Sequence, residues 1–185
     1  MIPSIDALTG HIPPGRYLAT LSEVQESFAT RPEFGETIRT EIWSELVLAT
    51  DALRKVVPVV SIWFSGSFVS AKSIPSDIDC TVWIESDVLV AARESPEKSQ
   101  QLAAFFKTGW LKSVGLRVDP YLGVWCQVLD PSQASHEDNK YYWSRGHWDD
   151  FWQRVRSGPV GAAPVRVDAV PMRGYLEVEF DGYSV

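Results

Sequence analysis

The sequence predicts an α/β or α+β fold in which a small mixed β-sheet is flanked by helices. Segments of helical and strand periodicity follow one another in the order α-α-β-β-α-β-α-β. The chain has 185 residues, of which 45% are hydrophobic and 12% aromatic, and this suits a compact core. Clusters of Gly and Pro separate several of the periodic segments, as expected for turns and loops.

The first third of the chain is predicted to be helical. Residues 11–15 carry a loop signal, and residues 22–28 are expected to form a short helix with Ser22 as its cap. Apolar residues spaced by three or four over 34–56 then predict one long helix. We assign residues 1–57 to this N-terminal helical part.

Residues 58–126 are predicted to hold the central strands and the chemistry. Residues 59–64 are β-branched and aromatic, which is typical of a buried strand, and residues 78–84 predict a second strand. A helix is expected over 95–109, capped at its start. Residues 116–125 predict a third strand or strand pair, interrupted by a proline.

The remaining residues, 127–185, are predicted to form an aromatic helix and a closing strand. Residues 130–139 are polar and loop-like, whereas 141–155 have the pattern of a helix rich in aromatic residues. Residues 158–171 are rich in Gly, Ala and Pro and are expected to be irregular. Residues 175–180 alternate and predict a last strand at an edge of the sheet.

Composition narrows the class of protein. The formal net charge is −7 and the pI is near 4.9, which argues against broad nucleic-acid binding and suits a cation or a basic partner. Two cysteines without a ligand cluster do not predict zinc. Neither a signal peptide nor a membrane-spanning apolar run is evident, so we expect a cytoplasmic protein with no membrane partner. Residues 1–185 are expected to form a single domain.

The stretch GSFVSAKSIPSDIDC, residues 66–80, joins the first two predicted strands and carries the strongest functional signal. Asp77 and Asp79 are separated by one residue at the start of the second strand, so their side chains point to one face. Two carboxylates this close repel each other unless a cation lies between them. Oxygen ligands of this kind suit Mg²⁺ together with substrate phosphates, so the pair predicts a magnesium site.

Gly66 and Ser67 predict a phosphate-binding turn at the end of the preceding strand. Glycine lets the backbone approach a phosphate closely, and the serine hydroxyl and following amides can contact its oxygens. The nine residues between Ser67 and Asp77 allow the loop to bring the turn and the carboxylates face to face. Lys72, inside this loop, can hold a phosphate as a point charge.

A Gly-Ser pair followed at this spacing by Asp-x-Asp resembles the signature of the polymerase-β-like nucleotidyltransferase superfamily. The string GSFVSAKSIPSDID is similar to that of small bacterial proteins related to the minimal nucleotidyltransferases. The resemblance implies a nucleotidyltransferase fold and transfer of a nucleoside monophosphate from a triphosphate, with ATP expected, to an acceptor hydroxyl. It also implies Mg²⁺ held by Asp77 and Asp79. Some minimal nucleotidyltransferases act as antitoxins, so a protein partner and a toxin–antitoxin or phage-defence role are implied too.

The resemblance further implies a third carboxylate on a later strand, and Asp119 is the best candidate. It would complete the metal site or accept a proton from the acceptor hydroxyl. The chain departs from the family pattern in three places, of which one is an excursion over 157–171 that is longer than expected before the closing strand. Residues 68–72 stand where minimal nucleotidyltransferases often carry small-Arg-Gly, so the phosphate contact would rely on Lys72. Pro120 follows Asp119 and is expected to bend the strand there.

These residues leave more than one class of function open. The first is an Mg²⁺-dependent nucleotidyltransferase whose acceptor is a protein side chain, an RNA end or a small molecule. The second is a non-catalytic module that binds a nucleotide or a partner protein, such as an antitoxin whose acidic surface masks a basic toxin. A metal-dependent phosphohydrolase using the same carboxylates is a third.

Overall fold

A five-stranded mixed sheet organises the part of the chain that the computed structural model describes, residues 1–34, 36–159 and 161–183. Its strand order is β1-β5-β2-β3-β4; β1 and β5 are parallel, β3 and β4 are parallel, and the other pairs are antiparallel. The strands are β1 (Gly15–Leu18), β2 (Ser61–Ser65), β3 (Ile78–Glu85), β4 (Val118–Trp125) and β5 (Gly174–Glu179). This mixed α and β architecture confirms the predicted fold class.

Helices lie on both faces of the sheet and connect its strands. They are α1 (Leu21–Val24), which continues as a π-helical turn (Gln25–Ala29), α2 (Glu36–Arg54), α3 (Ser86–Glu94), α4 (Pro96–Phe105), α5 (Trp110–Ser113) and α6 (His136–Trp152). Short 3-10 turns occupy Pro32–Phe34, Pro131–Gln133 and Arg166–Ala169. In the described ranges, no helix has the combination of length and hydropathy that a membrane span requires.

Each face of the sheet has its own core because side chains alternate along the strands. On the α2 face, Ile62 of β2 and Val82 of β3 pack in one buried cluster with Leu46 of α2. On the α6 face, Trp63 and Trp83 pack in a second cluster with aromatic residues of α6. Cys80 is buried in the α2-face cluster, so its side chain points away from the neighbouring Asp79.

The edges of the sheet differ from the prediction. β5 was expected at an edge but lies between β1 and β2, so that prediction is wrong. Its alternating glutamates suggest a solvated face, yet Glu177 is buried and paired with Arg16 and Ser61. The true edge there is β1, which was not predicted as a strand.

Pro120 does not interrupt β4. The strand runs continuously through it, and Pro120 pairs with Cys80 of β3 in regular parallel register. β4 lies at the other edge of the sheet, where a residue without an N–H is tolerated because one side of the strand makes no ladder. The expected bend at Asp119 is therefore wrong.

Several helix boundaries also differ from the prediction. Thr20, not Ser22, caps α1, and Glu23 completes a reciprocal capping box with it. α6 begins at His136, inside the stretch predicted as a loop, because Ser135 caps it. The sequence analysis did not predict α3 or α5. Val160 belongs to the stretch 158–171 that was predicted to be irregular, and it lies outside the described residues.

Gly174, the first residue of β5, marks a close approach between two backbone segments. A Cβ built at this position would lie 2.3 Å from the carbonyl oxygen of Pro13. Because this oxygen belongs to the backbone, no side-chain rotation can relieve the clash. We expect Gly174→Ala to lower the free energy of unfolding by about 1–3 kcal/mol in urea denaturation. Gly146→Ala is the matched control, since a Cβ at this exposed position of α6 meets nothing within 4 Å. Gly146→Ala should stabilise the protein by about 0.5–1 kcal/mol. A Gly174→Ala variant as stable as this control would contradict the close contact between Gly174 and the Pro13 carbonyl oxygen.

Candidate functional site

The first residues of strands β3 and β4 bring the predicted carboxylates together. Asp79 and Asp119 pair directly in the parallel register of the two strands, and Asp77 immediately precedes β3. Side chains of paired residues in parallel strands share a face, so Asp79 and Asp119 lie side by side on the α6 face. All three aspartates are partly buried.

The Gly-Ser turn lies directly against this acidic cluster of Asp77, Asp79 and Asp119. Ser65, the last residue of β2, pairs with Asp79, and Gly66 follows it with a φ of +75°. A Cβ at Gly66 would lie 2.0 Å from Asp79 Oδ2, so only glycine can occupy the position. The structure therefore brings together Gly66, the half-buried Ser67 beside it, and the carboxylates.

A turn rather than a helix follows β2. Residues 66–69 form this turn, and the chain then returns past an isolated bridge between Ser70 and His11. Lys72 is exposed on the returning part of the loop, where it remains a predicted phosphate ligand.

Arg39 of α2 holds this loop, and the sequence analysis missed it. The side chain is 0% exposed. Its guanidinium donates to the carbonyl oxygens of Phe28 at 2.8 Å, Phe68 at 2.8 Å and Ser70 at 2.9 Å, and also to that of Lys72. Burial lowers the pKa of Arg39 to about 10, so the group stays protonated at neutral pH. A signal for this role exists in the sequence, because position 39 falls on the apolar stripe of α2, three residues before Ile42.

Lys112 of α5 occupies the space between two of the carboxylates, and the sequence analysis missed this residue as well. Its Nζ lies 2.7 Å from Asp77 Oδ2 and 3.3 Å from Asp119 Oδ2. An ammonium group at this point supplies the positive charge that neighbouring carboxylates require. α5 is a single turn, and Leu111, the residue before Lys112, anchors it in the α2-face core.

The environment of Asp79 disfavours its ionised form. Burial, with further contributions from the negative charges of Asp77 and Asp119, raises the pKa of Asp79 to about 6. Arg173 and Lys112 act in the opposite direction. Arg173 is fixed nearby because its Nε donates to the carbonyl oxygen of Trp152 at 3.0 Å. The cluster therefore carries an excess of negative charge that favours any added cation.

The donor set fits magnesium in chemistry, although its present arrangement is that of an ion-pair network. Carboxylate oxygens from Asp77, Asp79 and Asp119 are the ligand type that Mg²⁺ prefers. Within the described part of the chain, however, no group of three or more His, Cys, Asp or Glu side chains is arranged to hold a metal ion. The position of Lys112 gives a physical reason, since its ammonium lies where a cation shared by Asp77 and Asp119 would lie.

A family model described as "Family of unknown function (DUF6932)" matches residues 3–178, which is nearly the whole chain. The chain belongs to this DUF6932 family. Searches of curated proteins and of solved structures each find no match. The match spans β1 to β5 and contains the whole acidic cluster, so these features lie within the DUF6932 region.

The network around Arg39 leads to a stability prediction. Arg39→Lys keeps the charge but cannot reach four carbonyl oxygens at once, so buried acceptors lose their donors. We expect the free energy of unfolding to fall by about 2–4 kcal/mol. We also expect the substitution to accelerate amide hydrogen exchange more in residues 66–72 than in β3. Arg93→Gln, at an exposed position of α3, is the control and should change neither quantity. Equal stability of the two variants would show that Arg39 does not hold the loop.

Proposed function

We propose that this DUF6932 protein is an Mg²⁺-dependent nucleotidyltransferase with the nucleotidyltransferase fold. It would move a nucleoside monophosphate from a triphosphate, with ATP as the expected donor, to an acceptor hydroxyl. The observation that carries the proposal is the close approach of Gly66 to Asp79, which is itself paired with Asp119. This chemistry needs a phosphate-binding turn that faces a metal-binding cluster, and the contact of Gly66 with Asp79 supports such an arrangement.

Each residue of the site would have a separate task. Asp77, Asp79 and Asp119 would hold Mg²⁺, which when bound neutralises phosphate charge and orients the reacting oxygens. Gly66 and Ser67 would receive the triphosphate at the end of β2, with Lys72 contributing a point charge from the loop. Because Arg39 fixes the loop from behind, these contacts would be in place before the nucleotide arrives.

The reaction itself would need few covalent roles from the protein. The acceptor hydroxyl oxygen forms a bond to the α-phosphorus, the bond from that phosphorus to the bridging oxygen breaks, and pyrophosphate leaves. As the alternative to a role as metal ligand, Asp119 would accept the hydroxyl proton; its position on edge strand β4, at the outer side of the cluster, supports this role. The acceptor class would be a protein, an RNA end or a small molecule, in a setting such as a toxin–antitoxin or phage-defence system.

The position of Lys112 favours a second candidate, a non-catalytic module that binds a nucleotide or a protein partner. In this version the ammonium takes the place of the metal permanently, and the acidic cluster is a structural ion-pair network. The two proposals differ in whether Lys112 leaves the carboxylates when Mg²⁺ and a nucleotide are present.

Transfer of a labelled nucleotide tests the enzymatic proposal. The protein, Mg²⁺ and each of four triphosphates labelled at the α-phosphate are incubated with lysate fractions of RNA, protein and small molecules. We expect label in one fraction with the native protein and a loss of at least about 100-fold with Asp79→Asn, since a metal ligand is removed. Burial and neighbouring charge disfavour the ionised form of Asp79, so the amide should leave the fold at least as stable.

The control for this assay is Asp87→Asn, at a position in the first turn of α3. Full activity of Asp87→Asn would show that the activity loss in Asp79→Asn is not caused simply by the removal of one acidic charge. If no fraction is labelled with any triphosphate, and Asp79→Asn still binds the same partner protein as the native chain, the binding module replaces the enzyme. Release of nucleoside monophosphate or phosphate without a labelled acceptor would instead indicate a phosphohydrolase.

Metal binding tests the role of Lys112 without reference to turnover. If its ammonium competes with a divalent cation, Lys112→Gln should raise the affinity for Mn²⁺, used as the probe, by about tenfold or more. Electron paramagnetic resonance of free Mn²⁺ measures this directly. Lys107→Gln, at an exposed position in the α4–α5 connection, is the matched control and should leave the affinity unchanged. An affinity equally low in all three proteins would show that the carboxylates do not form a metal site.

A further inference from the structure

A second polar cleft opens on the same face of the sheet, between α6 and strands β1 and β2. Its volume is about 480 Å³, and it is lined by Arg16, Trp63, Tyr142, Arg145, Gly146 and Asp149. Nothing in the proposed transfer reaction uses these residues. The cleft therefore requires its own explanation.

Two guanidinium groups lie over the same indole ring in this cleft. The Cζ atoms of Arg16 and Arg145 are 5.2 Å and 5.3 Å from the ring centroid of Trp63. Trp63 is fully buried and fixed between the rings of Trp83 and Tyr175, so it forms a rigid floor. A flat apolar floor with two cationic walls is suited to a small anion.

The charges in the cleft are unequally compensated. Arg16 pairs with Glu177, whose Oε2 lies 3.4 Å from the Arg16 Nε. Asp149 is already an acceptor for the Tyr175 hydroxyl and for Gln153 Nε2. Its carboxylate is therefore directed to groups other than the arginines.

Arg145 is the exception among these charged groups. It is half-buried on α6, and its Nη1 donates to the phenol oxygen of Tyr141 at 3.0 Å. The negative charge of Glu177, the carboxylate that already pairs with Arg16, also helps to raise the pKa of Arg145. None of the ion pairs among the described residues involves it. A guanidinium carries five N–H donors and costs free energy when it is withdrawn from water without an anion. The single carboxylate of Glu177 therefore serves two guanidinium groups, which leaves N–H donors of Arg145 for a negatively charged ligand.

We propose that the cleft between Arg16 and Arg145 binds the phosphate group of a ligand. Phosphate offers oxygens in the geometry that two guanidinium forks recognise, and the aromatic floor lowers the local dielectric constant. The site stands independently of nucleotidyl transfer, because none of its residues belongs to the acidic cluster.

The cleft is nevertheless close to that cluster. Trp63 precedes Ser65 by two residues on β2, and Ser65 pairs with Asp79. Strand geometry places the Cα atoms of Trp63 and Asp79 roughly 8 Å apart. The phosphate could therefore belong to a nucleotide that also reaches the cluster or to a separate phosphorylated molecule.

Nuclear magnetic resonance of the tryptophan indole groups tests the proposal. The Trp63 resonance is assigned by its loss in Trp63→Phe, and inorganic phosphate is titrated against sodium chloride of equal ionic strength. We expect a saturable shift of this resonance with phosphate only. Arg145→Gln should weaken the apparent affinity about tenfold, and Arg145→Lys should lie between it and the native protein, because the fork is lost but the charge stays. Arg93→Gln is the surface control and should bind as the native chain does.

The outcomes separate this site from the transfer reaction. The phosphate titration of Asp79→Asn should match that of the native protein even if that variant, or the native chain, transfers no nucleotide. ATP that binds more tightly than phosphate, with the gain lost in Asp79→Asn, identifies the nucleotide as the source of the phosphate. Equal binding of ATP and phosphate indicates a separate phosphorylated ligand. No saturable shift, a shift of equal size with chloride, or unchanged affinity in Arg145→Gln overturns the proposal.

Discussion

One buried guanidinium fixes the parts of this protein that the candidate site depends on. Arg39 ties the end of the π-helical turn after α1 to three carbonyl oxygens of the loop that follows β2. A charge buried this completely is tolerated only if its hydrogen bonds are made together, so helix and loop are held in a single arrangement. That loop begins at Gly66, whose backbone packs directly against the Asp79 side chain. The acidic cluster is thus shaped by a residue whose helix packs on the opposite face of the sheet.

The second constraint is electrostatic, and the two candidate functions share it. Parallel pairing places Asp79 next to Asp119, and burial together with the neighbouring negative charges raises the pKa of Asp79 to about 6. Lys112 supplies positive charge from a one-turn helix, and Arg173 supplies more from the segment before β5. The enzymatic proposal and the binding-module proposal therefore differ in the position of the Lys112 side chain rather than in the fold.

Local signals explain what could be predicted from the sequence. The one-residue spacing of the two aspartates, the Gly-Ser pair and the strand patterns around them act over a few residues, and the structure brings these residues together. Lys112 gave no such signal, because its helix has four residues and its partners come from two different strand starts. β1 was missed for a similar reason, since its only strand partner, β5, is more than 150 residues further along the chain. Arg39 was detectable in principle as a charged residue on an apolar stripe, but such residues are normally solvated.

The two edges of the sheet have a consequence for the behaviour of the protein in solution. A sheet with central strands this apolar and aromatic would template the addition of further strands if a long, regular edge were open. One edge, β1, offers only four residues. The other, β4, contains Pro120, which has no N–H to donate to an incoming strand. The same proline that breaks the strand pattern in the sequence thus acts against self-association of folded molecules.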